Sequence, residues 1–298
     1  MLSPSSGARS QATVGILLIS AGMATLGVSD AIAKALAANY SPIQILFVRN
    51  LIALPIAVLI ALKMGGPGAL RSYRPAAHLV RGVFWVLAAG LFFTGLKHLE
   101  IAEATALVFI APVFITAISA LFLKESVGWR RWLAVLVGFV GVLIIVRPGA
   151  GTFQAASLLP ITTAFFYAIL MISARWVDPR ESVWTLMLYL VGAGLALSAL
   201  MTPFVWVNIQ IKDIWFFFGI AIFGTAGITL ITQAFRFAPA AVVAPFEYSA
   251  LIWATLFGWL FWHEIPDLLT YVGAGVIVLS GCYIVLREQQ LKSGDGVS

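Results

Sequence analysis

Ten apolar stretches, each close to twenty residues long, follow one another along the chain with short polar gaps between them. They lie at about 13–36, 43–62, 77–97, 101–123, 129–147, 155–176, 183–206, 214–235, 240–262 and 268–287. An α-helix needs about twenty consecutive apolar residues to cross the hydrocarbon core of a bilayer. The pattern therefore predicts an all-α, polytopic membrane protein of ten transmembrane helices. The gaps leave no room for a soluble domain of any size. Arg9 ahead of the first stretch and "AIA" at 31–33 imitate a secretory signal and its cleavage site. The length of that stretch, and Asp30 and Lys34 within it, argue for a retained span.

Composition agrees: 61% of the 298 residues are hydrophobic and 10% charged, whereas soluble domains carry nearer a quarter charged. The net charge of +6 matters through its placement. Thirteen of the eighteen Lys and Arg, Arg71, Arg74, Arg130 and Arg131 among them, fall on the side shared by both chain ends. Lys34, Lys97, Arg147 and Lys212 fall on the other side, and Arg49 lies within a span. This bias puts both termini in the cytoplasm and makes the basic charge a topology signal, with no nucleic-acid partner implied. The single cysteine, Cys282, excludes a disulfide framework and a Cys-based zinc site.

The chain also repeats itself. Residues 97–125, "KHLEIAEATALVFIAPVFITAISALFLKE", match 236–264, "RFAPAAVVAPFEYSALIWATLFGWLFWHE", at the offset of 139 between Lys97 and Arg236. "GVLIIVR" (141–147) then sits against "GCYIVLR" (281–287), and "DAIAKAL" (30–36) matches "MISARWV" (171–177) more weakly. The halves are helices 1–5, within 13–147, and helices 6–10, within 155–287, flanked by cytoplasmic tails 1–12 and 288–298. Five is odd, so the second half enters the membrane from the opposite side. Two inverted five-helix repeats are an architecture of alternating-access carriers; duplication for stability alone is the other reading.

The segments "AxATALVFIAPVFITAISALFLKE", where x is Glu103, and "GWRRWLAVLVGFVGVLIIVRPG", with the second-half match, carry a family resemblance. Over nearly its whole length the chain resembles the drug/metabolite transporter superfamily, in the group with two EamA domains. "SDAIAKAL", "FVRN", "HLVRGVFW" and "RRWLAVLVGFVGVL" are similar to the subgroup of bacterial riboflavin and S-adenosylmethionine uptake carriers. The resemblance implies a carrier of a small polar or aromatic metabolite, riboflavin first, with S-adenosylmethionine or amino acids as rivals.

Candidate substrate-binding residues are polar groups inside the spans. Glu247, followed by Tyr248, stands about seven residues into the ninth stretch, roughly 10 Å along the axis. A carboxylate there calls for a polar cavity; snorkelling or an ion pair with Arg236 is the structural alternative. Arg49 and Asn50 lie at a similar depth in the second stretch, and Asp30 late in the first. The pair Asp30–Arg49 either locks helices 1 and 2 together or borders the site. Thr225, Thr229 and Thr232 share one face of the eighth stretch beside Gln233, lining a cavity or bonding helix to helix. Trp85, Phe92, Phe93 and Tyr167 lie deep enough to stack on a flat substrate or simply to pack. Glu103 reads as a first-turn acid suited to its helix dipole. Pro112 and Pro245, in corresponding helices, and Pro55 each remove a backbone hydrogen bond and kink a span, which suits gating.

No cofactor or metal is implied. His78, His98 and His263 lie at different membrane edges, "HEIPD" lacks the second histidine of a zinc helix, and no GxSxG occurs. An integral-membrane enzyme is disfavoured on those grounds, and ATP drive by the lack of a Walker sequence. A channel would show a polar stripe in several helices, whereas most spans here hold one or two polar residues. The expected partners are a small-molecule substrate and lipid, with a homodimer through the least polar helices, 5 and 10, as an option.

Overall fold

The computed structural model describes residues 6–121, 128–147, 154–238 and 240–294. Among these residues every regular element is helical. Helices α1 (Ser6–Ala37), α2 (Pro42–Ile60) and α3 (Pro75–Leu96) occupy the first three apolar stretches. The fourth is divided between α4 (Ile101–Val108) and α5 (Ala111–Leu121), and α6 (Trp129–Val146) fills the fifth. Helices α7 (Leu158–Ile172), α8 (Val183–Met201) and α9 (Ile214–Phe237) follow. The ninth stretch holds α10 (Ala240–Val243), a 3-10 segment at Ala244–Ser249 and α11 (Ala250–Trp262), and α12 (Leu268–Gly294) closes the chain. Among the described residues, seven helical segments are long and apolar enough to cross a membrane, while Trp132–Val146 and Leu268–Ile284 are apolar but shorter. Lys124 and Glu125, expected at the end of the fourth span, lie outside the described residues.

Prolines explain several of these boundaries. Pro42 and Pro75 open α2 and α3, where a missing N–H removes no intrahelical bond. Pro55 is carried inside α2. Pro112 and Pro245 do more than kink their helices. The chain leaves the α-helix at Phe109–Ile110, just ahead of Pro112, and again over Ala244–Ser249, which contains Pro245. The prolines are six positions out of register in the repeat, yet the interruptions overlap. At the offset of 139, Phe109 and Ile110 correspond to Tyr248 and Ser249.

The chain divides into two compact units, and neither is a sequence half. The first comprises Met1–Val28, Glu100–Phe153 and Ala226–Ser298. Within it α6 packs along α12, and α4 along α11. The α6–α12 crossing is tight because Gly141 and Gly273 let the backbones meet: a Cβ on Gly141 would stand 2.9 Å from the Gly273 carbonyl. Ile19, Met23, Ala234, Ala238 and Val243 form a buried cluster between α1 and the α9–α10 segment. The second unit comprises Ser29–Leu99 and Gln154–Thr225, with α2 on α8 and α3 on both α7 and α8. Each unit thus pairs helices from the first and second halves of the sequence.

Candidate functional site

In the second unit, Arg49 and Asn50 are buried on α2, 7% and 2% exposed. The Arg49 guanidinium lies over the indole of Trp85 on α3, 5.6 Å from the ring centroid. It also abuts Gly224 on α9, where a Cβ would stand 2.8 Å from Nη2. Asn50 and Trp85 meet at Gly194 on α8, where a Cβ would come within 2.8 Å of Asn50 Nδ2 and 3.2 Å of the indole Cδ1. The absent side chain is what admits both groups. Asp30 faces Arg49 at coulombic range, but among the described residues no hydrogen bond or salt bridge locks them. Lys34 turns to the Leu99 carbonyl, 2.8 Å away. Tyr167 is 38% exposed on α7, and Phe93 is buried, 6.4 Å from Phe92 between ring centroids.

In the first unit, Glu247 and Tyr248 sit on the 3-10 segment that interrupts the ninth stretch. Glu247 is half-buried and makes no hydrogen bond or ion pair among the described residues; Arg236 is exposed on α9 and does not pair with it. The Tyr248 ring meets Phe109, its repeat counterpart, edge-on at 4.9 Å between centroids. Its Oη fits the notch at Gly281 on α12, which a Cβ would close. Gln233 Nε2, Ser249 Oγ and Thr105 Oγ1 are buried without hydrogen-bond partners. Thr232 donates back to the Ile228 carbonyl at 2.8 Å, while Thr225 is buried.

The helix ends hold polar pairings between distant segments that the sequence pattern does not reveal. Tyr40 donates to Asp213 Oδ2 at 2.7 Å, and Gln44 exchanges two hydrogen bonds with the Val207 backbone at 2.6 and 2.9 Å. At the opposite end of α2, α3 and α8, Glu181 lies 2.6 Å from His78 Nε2 and accepts from Tyr73 N–H at 2.7 Å and Ser72 Oγ at 3.0 Å. Burial opposes ionisation of Glu181, but the bonds from His78, Tyr73 and Ser72 outweigh it and hold its carboxyl below the ordinary range. The His78 ring stacks on Tyr189 at 4.7 Å. In the first unit, Glu264 accepts the Ile101 N–H at the start of α4, at 3.2 Å, and Glu103 lies in that helix's first turn. Asp267 pairs with Arg147 and accepts the Thr270 N–H at 2.8 Å, capping α12. Among the described residues no cluster of His, Cys, Asp or Glu could hold a metal ion.

Comparison with known proteins finds the family description "EamA-like transporter family" matching twice, at residues 13–147 and 154–287. This chain belongs to the EamA-like transporter family. As a member carrying two EamA repeats, it is similar over 89% of its length to a protein named riboflavin transporter from Vibrio cholerae, at 31% identity and 92% of that chain. It is 27% identical to the pseudopaline exporter of Pseudomonas aeruginosa, over 93% of this chain and 97% of that one. A Rickettsia bellii protein named S-adenosylmethionine uptake transporter matches at 25% over 89% and 91%. One crystal structure, 20% identical, covers 97% of this EamA chain and 99% of its own at a TM-score of 0.61, which shows a shared fold. With its apolar helices, this EamA-family chain is a multi-pass membrane protein of the transporter type.

Proposed function

We propose that the chain is a secondary carrier of the cytoplasmic membrane that moves a small polar or aromatic metabolite by alternating access, with riboflavin uptake as the first candidate. The observation that carries this reading is the interruption of the fourth and ninth apolar stretches at matching repeat positions. The change from α-helical to turn and 3-10 hydrogen bonding in these matched spans makes them discontinuous helices, and carriers bind substrate at such places. Two EamA repeats of five spans each, opposite in sense, with both termini cytoplasmic, complete the arrangement. The polar pairings of the second unit support the inversion. Tyr40–Asp213 joins the first and seventh gaps between spans, and Glu181–Ser72 joins their counterparts, the sixth and second, at the other ends of the same helices.

Asp30, Arg49, Asn50, Trp85 and Tyr167 are assigned to substrate in one unit, and Gln233, Glu247 and Tyr248 in the other. Pro112 and Pro245 are assigned to gating. The 31% identity to a protein named riboflavin transporter favours riboflavin. Relatives named as an uptake transporter and as an exporter keep S-adenosylmethionine and other metabolites, in either direction, as alternatives. The test is riboflavin flux in proteoliposomes. Saturable uptake accelerated by unlabelled riboflavin inside is expected; linear flux without trans-stimulation would indicate a pore. Uptake unchanged by an imposed pH gradient would exclude obligatory proton coupling.

A further inference from the structure

The second unit buries more hydrogen-bond donors than it pairs. The Arg49 guanidinium carries five N–H donors and makes no hydrogen bond among the described residues. Asn50 Nδ2 and Trp85 Nε1 are buried and likewise unpartnered. The three are neighbours: the guanidinium covers the indole, and Asn50 and the indole share the space opened by Gly194. Buried donors are nearly always paired, because leaving one unmade forfeits its hydration without return. Two such exceptions, Asn50 and Trp85, stand beside the Arg49 guanidinium on rigid helices, and together they form a donor surface that lacks acceptors.

The charge balance narrows the ligand. Asp30 lies within coulombic range of Arg49, so any ligand entering here meets a carboxyl group beside the guanidinium. A free carboxylate entering here would crowd against the Asp30 carboxyl, whereas neutral carbonyl oxygens can accept from Arg49, Asn50 and Trp85 alike. The guanidinium and the indole also offer flat faces suited to stacking.

We infer that Arg49, Asn50 and Trp85 form a subsite for the edge of a neutral planar ring bearing carbonyl oxygens, a cyclic imide or ureide. This rests on the carrier reading and adds which part of the substrate is read. The dione edge of a flavin ring has this chemistry; the carboxylate of an amino acid does not.

The test uses the purified full-length protein and three probes: riboflavin, lumichrome (the dione ring system without the ribityl chain) and tryptophan. Binding is measured for wild type, Trp85→Phe, which keeps a ring and loses one N–H, and Asn50→Leu. Trp215→Phe, at a residue 79% exposed, is the control. Wild type and Trp215→Phe should bind riboflavin and lumichrome in preference to tryptophan. Trp85→Phe and Asn50→Leu should each weaken both flavins about tenfold, as for a lost buried hydrogen bond. Their ligand-free Tm should hold or rise, because an orphaned donor has been removed. Flavin binding unchanged in both variants would overturn the subsite and leave the carrier reading intact. A fall in ligand-free Tm with no loss of affinity would make the residues structural and also overturn it. Preference for tryptophan, or no binding of either dione, would overturn it too; counterflow with another substrate would then judge the carrier reading separately.

Discussion

A carboxylate inside a membrane span costs several kcal/mol unless something engages it, and this chain treats its carboxylates in two ways. At the helix ends, Glu181, Asp213, Glu264 and Asp267 all accept hydrogen bonds. Within the spans, Asp30 and Glu247 accept none among the described residues. The second pair is therefore where function is expected. Glu247→Gln and Arg49→Ala should each lower transport about tenfold or more while insertion, followed by membrane fractionation, stays normal; a lost charge-assisted hydrogen bond is of this size. Asp267 belongs to the first class. The bond from Arg147, then that from Thr270, holds its carboxyl down at about 2. A depressed folded-state pKa means stabilisation that is full above the ordinary carboxylate value, about 4, and lost as pH falls through about 2. Because Asp267 is half-exposed, solvent screens the ion pair and the cap dominates. Asp267→Ala should cost about 1 kcal/mol, seen as a lower Tm at pH 6 that converges on wild type as the pH approaches 2.

Among the elements, the notch between the 3-10 segment and α12 makes the sharpest prediction. A Cβ on Gly281 would collide with Tyr248 Oη. Gly281→Ala should lower Tm, and adding Tyr248→Phe should recover most of the loss; equal Tm values for the single and double variants would remove Tyr248 from that notch. The helices themselves were legible from their apolar runs, because a span must satisfy its backbone internally and so advertises its length. The interruptions were legible only in part. Pro112 and Pro245 flagged the correct helices, but the break lies two to three residues before Pro112 and is revealed by its register with Ala244–Ser249. The clasps at Glu181, Asp213 and Glu264 were hidden because each joins loops more than a hundred residues apart. No local spacing records such a pairing. Thr232 shows the converse: read as part of a polar face, its hydroxyl serves its own helix.

At the scale of the whole molecule, the compact units cut across the sequence halves, so each EamA repeat contributes helices to both. Interleaving of this kind is what two copies of opposite sense require if equivalent helices are to pack on one another, as α2 does on α8 and α6 on α12. The reading as a carrier stands on that opposition of sense. The most direct measurement places single cysteines, in a Cys282→Ser background, at Asn39 and Pro179. These are exposed residues in the first and sixth gaps, which correspond in the two repeats. Labelling with a membrane-impermeant maleimide should reach Asn39→Cys in intact spheroplasts and Pro179→Cys only after permeabilisation. Labelling of both positions from the same side would mean that the repeats run in parallel, and the alternating-access account would fail.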